Sequence, residues 1–410
     1  MNSPREIRAR GQELAQLLRS SGADTAGAAY MHRKADALVI RLDDIKAPAA
    51  NILKQEMLAL GGECSNHREV ILGRPERVSV HLIANENTLR ELPRKLARQP
   101  FGLKALADSV VSLLDTLRRS SWEISLPEGS LAFGESPLLM GVLNCTPDSF
   151  SDGGNFEDPQ VAFDRGRQML AEGASILDIG GESSRPGAEE ISAEEEIRRV
   201  LPVIRSLRKE AGALISIDTR KVEVAEAAIA EGAVMLNDIS ALADPRMAAL
   251  VAESGVAVVL MHMQGSPETM QTAPGYEDCL DEVYRFLEDR VVEAEKVGID
   301  PGKILVDPGL GFGKRLEDNT ELLRRLGEFH SLGFPLLIGA SRKSFLGALM
   351  KEEDPERRLE GSLAALAKAA ECEVQVLRVH DVRESARFLN AWNPLCRASN
   401  PLSSGKETTA

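Results

Sequence analysis

Asn144, Asp218, Asn237, Asp307, Lys343 and His380 each stand at, or just beyond, the C-terminal end of a short apolar run, and Arg378 stands within the last such run. Two kinds of chemistry follow from these types. Arg185, Arg378 and His380 are cationic or protonatable, and a planar guanidinium fork suits the oxygens of a diphosphate-like anion. Asn144 offers a neutral oxygen to a hard cation, and magnesium takes one or two protein ligands while water and phosphate oxygens fill the rest. The second set is Asp218, Asn237, Asp307 and Lys343. Its carboxylate and amide oxygens can accept from the N–H edge of a polar planar ring, and its ammonium can donate to a ring carbonyl or nitrogen. Buried carboxylates without a fixed cation are costly, so a donor-rich ligand is their natural partner. Each residue also has a structural use: Asp218 and Asn237 as helix N-caps, Asn144 as a turn cap, Arg185 in an exposed ion pair. His262 reads as a packed histidine and Cys145 as a small apolar filler.

Elements that could bring these residues together are visible from about residue 138 onward. Apolar runs at 138–143, 175–179, 214–217, 233–236, 256–261, 304–306, 335–339 and 374–379 read as strands. Stretches with helical apolar spacing, such as 194–209 and 276–297, separate them. The period of roughly 30 residues is that of a strand-helix unit. Eight such units predict an α/β fold of the (β/α)8 TIM barrel type, in which all C-terminal strand ends converge on one face. An open doubly wound sheet is the alternative. The first part of the chain differs. Ala37–Leu42 and Val78–Ile83 read as strands, and Ala49–Leu60, Asn87–Ala97 and Leu103–Leu117 as helices. Pro127, Gly129, Gly134 and Pro137 mark a boundary. The expected organisation is a small α+β N-terminal domain over 1–133, a catalytic barrel over 134–393, and a disordered polar tail over 394–410.

The 410 residues carry 49 Lys and Arg against 63 Asp and Glu, a formal charge of −14. With no basic tract to compensate, this argues against nucleic-acid and anionic-membrane partners. No apolar run reaches membrane-spanning length, and the charged N-terminus lacks a signal-peptide core. The five cysteines are scattered without a C-x-x-C pair, which fits free thiols in a reducing cytoplasm.

The ordered segments resemble the dihydropteroate synthase family of folate biosynthesis over about 135–392. They are Asn144-Cys145-Thr146-Pro147-Asp148-Ser149-Phe150-Ser151-Asp152-Gly153-Gly154, Asp178-Ile179-Gly180-Gly181-Glu182-Ser183-Ser184-Arg185-Pro186-Gly187, Ile217-Asp218-Thr219 and Asn237-Asp238-Ile239. Further on come Leu260-Met261-His262-Met263-Gln264-Gly265, Asp307-Pro308-Gly309-Leu310-Gly311-Phe312-Gly313-Lys314, Ser341-Arg342-Lys343-Ser344 and Arg378-Val379-His380-Asp381-Val382. The resemblance implies a transferase that condenses 6-hydroxymethyl-7,8-dihydropterin diphosphate with 4-aminobenzoate, giving 7,8-dihydropteroate and diphosphate. Carried over by position, Asp218, Asn237, Asp307 and Lys343 would contact the pterin. Asn144, Ser184, Arg185, Arg378 and His380 would contact the diphosphate, with Asn144 touching Mg2+. Phe312, Pro186 and Ser344 would shape the aminobenzoate pocket. Asp218, Lys343, Arg378 and His380 are the expected catalytic groups, and a homodimer is implied because family members often form one. Ser184 departs from the usual threonine, Cys145 from a common valine, and Ala370-Glu371-Cys372-Glu373 from the usual Gly-Ala turn. On the same barrel, a pterin-binding methyltetrahydrofolate-corrinoid methyltransferase or a non-catalytic pterin-binding scaffold would share the pterin carboxylates. The methyltransferase would not need the diphosphate residues.

Overall fold

The computed structural model describes residues 11–396 apart from 23, 120, 128, 135, 147–158, 183–189 and 268. The chain separates into two compact units at Arg118/Arg119. In the first unit, strands β1 (Ala37–Lys46), β2 (Glu63–Ser65) and β3 (Arg77–Asn85) form an antiparallel sheet in the order β1-β3-β2. Val78, Val80, Leu82 and Ala84 alternate inward along β3 and pack with Leu53 and Met57 of the helix Ala47–Ala59. The helix expected over 87–97 is two, Glu86–Arg90 and Leu92–Leu96. Pro93 explains the break: it has no N–H to donate back and fits the first turn of a new helix.

The second unit begins with a hairpin, β4 (Trp122–Leu126) and β5 (Gly129–Phe133). Eight parallel strands follow: β6 (Leu138–Asn144), β7 (Ile176–Gly180), β8 (Ile215–Asp218), β9 (Met235–Asp238), β10 (Ala257–Met261), β11 (Ile304–Asp307), β12 (Leu337–Ile338) and β13 (Val376–Val379). Their order is β11-β10-β9-β8-β7-β6-β13-β12, and a parallel bridge between Val306 and Leu336 joins the two ends into a barrel. Each strand lies where an apolar run was expected. β12 is the shortest because Pro335 cannot donate to a ladder and Gly339 follows it.

The hairpin corrects the expected boundary at 133/134. Trp122, Ile124 and Phe133 pack with Met140, Ile176, Met235, Val259, Leu305, Leu337 and Val376, which point into the barrel. The hairpin is therefore part of the barrel's core. Its turn residues Pro127 and Gly129 imitate a linker. The tail also differs from expectation. The last helix runs Val382–Cys396, through the first three residues assigned to the tail, because Phe388 and Trp392 stack at 5.6 Å and pack on the barrel core. Residues 397–410 lie outside the described ones. Among the described residues, no helix is long and apolar enough to cross a membrane.

Candidate functional site

The strand ends bring a charged cluster to one end of the barrel. Arg378, on β13, reaches across to two carboxylates: its Nε donates to Asp178 Oδ2 at 2.6 Å and an Nη to Asp218 Oδ2 at 2.7 Å. Asn237, level with Asp218 in the β8–β9 register, donates its Nδ2 to the same Asp178 oxygen at 3.1 Å. Asp307 ends β11 and accepts from the Gly309 N–H at 2.7 Å. Asp178, Asn237 and Asp307 are buried, and Asp218 and Arg378 are largely so.

Two carboxylates share one guanidinium, and this sets the electrostatics. Burial pushes Asp218 up to about 7, the Arg378 charge opposing and Asp178 adding repulsion. Burial raises Asp307 as well, with the Lys343 ammonium pulling the other way. Lys343 is lowered to about 8 by burial, against the attraction of Asp307. Burial opposes the charge on Arg378, but Asp178 and Asp218 outweigh it and hold the guanidinium above its ordinary value. The site thus keeps its cation fixed and holds Asp218 and Lys343 near the pH at which each can change charge.

The loop from Asp307 to Lys314 forms one wall. Gly309 has φ +68, and a Cβ there would lie 1.9 Å from the His262 carbonyl oxygen, so only glycine fits. Lys343 donates to the Leu310 carbonyl, and its ammonium sits 4.3 Å from the centre of the Phe312 ring. Beneath the loop, buried Lys314 meets His262 Nδ1 at 2.9 Å, the Gly309 carbonyl at 2.9 Å and the Phe312 carbonyl at 3.0 Å. Burial first, then the Lys314 charge, drives His262 down to about 3, and its ring meets Phe286 edge-on. His262 is therefore a packed, neutral residue, as its sequence context suggests.

At the other side, Ser341 Oγ lies 3.1 Å from His380 Nδ1 and accepts from the His380 N–H. Arg342, at φ +60, grips Asp381 and Glu356 and does not face outward as a free cation. Ser344 is exposed at the start of the helix Ser344–Met350. Asn144 is half-buried at the end of β6, in register with Gly180. Ser184, Arg185, Pro186 and Asp148 lie outside the described residues, as do most of the two loops that carry them.

Four residues have roles that the sequence reading does not assign. Asp178 is an ion-pair partner of Arg378. Its signal was a carboxylate inside an apolar strand buried on both faces. Lys314 is a buried structural ammonium, although it closes a glycine-rich segment that reads as loop. Lys221 bridges Glu182 and buried Glu196, the latter at 2.8 Å, and so ties Glu182, just beyond β7, to the following helix. Asp238 spends its oxygens on the Ser240 and Leu242 N–H groups, both at 2.8 Å, and is a loop cap.

A family profile described as pterin binding enzyme matches residues 140–380. The dihydropteroate synthase of Escherichia coli K12 is 47% identical over 253 residues, covering 62% of this chain and 89% of that protein. The structure of a Xanthomonas albilineans dihydropteroate synthase with 4-aminobenzoic acid superposes with a TM-score of 0.64 at 44% identity, covering 68% of this chain and all of that one. A second structure of the Xanthomonas albilineans enzyme, in complex with 7,8-dihydropteroate, gives 0.60 at 43% identity, covering 65% and 97%. With the closed barrel and the ionic strand ends, these similarities show that the chain belongs to the pterin binding enzyme family, among the dihydropteroate synthases.

Proposed function

We infer that this chain condenses 6-hydroxymethyl-7,8-dihydropterin diphosphate with 4-aminobenzoate, releasing 7,8-dihydropteroate and diphosphate. The observation that carries this is the 2.7 Å contact between Arg378 and Asp218, with Asn237 joined to the same cluster through Asp178. It supports the reading because a cation that can receive a leaving diphosphate lies beside acceptors that can take a planar N–H edge, so one substrate can span both.

In this reading Asp218, Asn237 and Asp307 accept from the pterin ring and Lys343 donates to it. Arg378 and His380, with Asn144, Ser184 and Arg185, receive the diphosphate. The C–O bond from the pterin methylene to the diphosphate breaks with its electron pair on oxygen. Fixed positive charge on the largely buried Arg378 would stabilise that oxygen. Asp218, paired with Arg378, would temper the positive charge left on the methylene. The arylamine nitrogen then bonds to the methylene carbon and loses a proton. Phe312 and Ser344, with Pro186, bound the aminobenzoate pocket.

Magnesium takes one or two protein ligands and fills its remaining positions with water and phosphate oxygens, and the Asn144 amide oxygen at the end of β6 could be one such ligand. Asn144 would hold it, and it would supply further charge neutralisation to the leaving diphosphate. The N-terminal unit is read as an accessory packing or oligomer-contact domain without catalytic groups, a homodimer as the assembly, and the reducing cytoplasm as the setting of the free cysteines.

The test is diphosphate release by the full chain with each substrate alone and with both. Release that depends on both, with dihydropteroate appearing in equal amount, is expected. Methyl transfer to a corrinoid without diphosphate release would overturn the reading.

A further inference from the structure

We propose that Asp178 is a positioning residue that orients Asn237 and Arg378 together, coupling the ring-binding and diphosphate-binding halves of the site through one carboxylate oxygen. The inference rests on the proposed function, which places those two residues on opposite ends of one substrate.

Asp178 lies in β7 with no exposed surface. Its Oδ2 accepts from Arg378 Nε at 2.6 Å and from Asn237 Nδ2 at 3.1 Å. Both contacts carry directional information. A carboxylate only accepts, so it must be the NH2 end of Asn237 that faces Asp178. The Asn237 carbonyl oxygen is then turned elsewhere, as an acceptor for a ring N–H. Without Asp178, either end of the amide could face the ring. For Arg378, Asp178 holds Nε while Asp218 takes an Nη at 2.7 Å, and two anchors on one planar group fix its plane. The Arg378 plane and the Asn237 amide are thus set by the same atom, and a shift of one is felt by the other.

The second oxygen, Oδ1, is buried and has no hydrogen-bond partner. A carboxylate kept only to satisfy a structural ion pair would be expected to have both oxygens occupied. An orphaned acceptor is retained at a cost, and such costs concentrate where a side chain is held for function. The residue also interrupts a strand whose other members, Ile176, Leu177 and Ile179, are apolar and buried. An apolar residue at 178 would serve packing as well or better.

The experiment is a double-mutant cycle on the full chain with D178A, N237A and the pair. Binding of diphosphate-free 6-hydroxymethyl-7,8-dihydropterin is measured by calorimetry, and kcat for the complete reaction alongside. D178A removes the one oxygen that receives both Arg378 and Asn237, whereas an asparagine could keep that acceptor and turn its NH2 to the unpaired Oδ1 position. D178A is expected to weaken ring binding and lower kcat by about 10-fold each, while adding less than about 3-fold to the ring-binding loss of N237A. Ring-binding losses that multiply fully in the pair would mean that Asp178 does not act through Asn237, and that result overturns the proposal. So does wild-type ring affinity and kcat in a folded D178A. If D178A yields no folded protein, D178E keeps the charge and advances the carboxylate by one methylene. Its cycle with N237A is read in the same way. A wild-type chain that binds the ring but makes no dihydropteroate would sink the proposed function, while the ring-binding cycle would still decide the role of Asp178.

Discussion

Replacing Arg378 with alanine should damage stability and rate, and the stability loss should depend on pH with a defined sign. The guanidinium is the shared partner of Asp178 and Asp218, at 2.6 and 2.7 Å, with side-chain exposures of 18%, 0% and 16% for the three residues. Removing one member of a buried ion pair costs about 3–5 kcal/mol, because the remaining charge is left without compensation. Here two carboxylates are left, repelling each other, and Asp218 can escape part of that cost by taking a proton. Its folded-state value is already raised by burial, and the loss of Arg378 removes what opposes the rise. A carboxyl whose folded value lies above its unfolded one binds the proton more tightly when native. Stability therefore falls as pH rises, from the unfolded value of roughly 4 through the folded one. Urea denaturation of R378A should show a small deficit against wild type near pH 5, growing to about 3 kcal/mol or more near pH 8. In the same protein kcat/KM should fall by at least ~100-fold, since a fixed charge facing a developing anion in a dry site is worth roughly 3 kcal/mol. A deficit that does not change with pH, or turnover near wild type in the folded variant, would refute the reasoning.

Three further outcomes follow. D307N can still accept from the Gly309 N–H but presents an amide donor to the ring, so calorimetry should show pterin binding weakened by about 1–3 kcal/mol, and unchanged affinity would remove Asp307 from the ring pocket. The rate profile should be a narrow bell: kcat/KM rises as Asp218, pushed up to about 7, ionises, and falls as Lys343, lowered to about 8, loses its proton. A flat profile across that span would contradict both assignments. A fragment beginning at Arg119 should fold and turn over, whereas one beginning at residue 134 loses buried Trp122, Ile124 and Phe133 from the barrel core. At about 1.5–3 kcal/mol for each large side chain, the shorter fragment should be destabilised by roughly 5–9 kcal/mol, which thermal melts of the two would reveal.

The charged end of the barrel is largely legible because each of its residues breaks a pattern. Asp218, Asn237 and Asp307 end apolar strands abruptly, and Arg378 stands inside one, so the period of the strands alone gathers them at one face. The rest depends on tertiary partners. Asp178 looked like one polar letter in a long motif, and nothing local shows that its oxygen receives both Arg378 and Asn237. Lys314 closes a glycine-rich segment, and the turns at Gly309 and Gly313 fold it back under the loop onto His262, a placement that no local spacing shows. The hairpin Trp122–Phe133 alternates like any half-buried ribbon. Which core it joins is decided by the barrel interior it fills, and its Pro127 and Gly129 mark a turn in the same way that they would mark a linker.

The most direct test is a structure of the full chain with 6-hydroxymethyl-7,8-dihydropterin diphosphate bound. The expected result is a pterin ring whose N–H edge lies on Asp218, Asn237 and Asp307, with diphosphate oxygens within hydrogen-bond distance of Arg378 and His380. A ring bound elsewhere on the chain, or a diphosphate that leaves Arg378 paired only to Asp178 and Asp218, would contradict it.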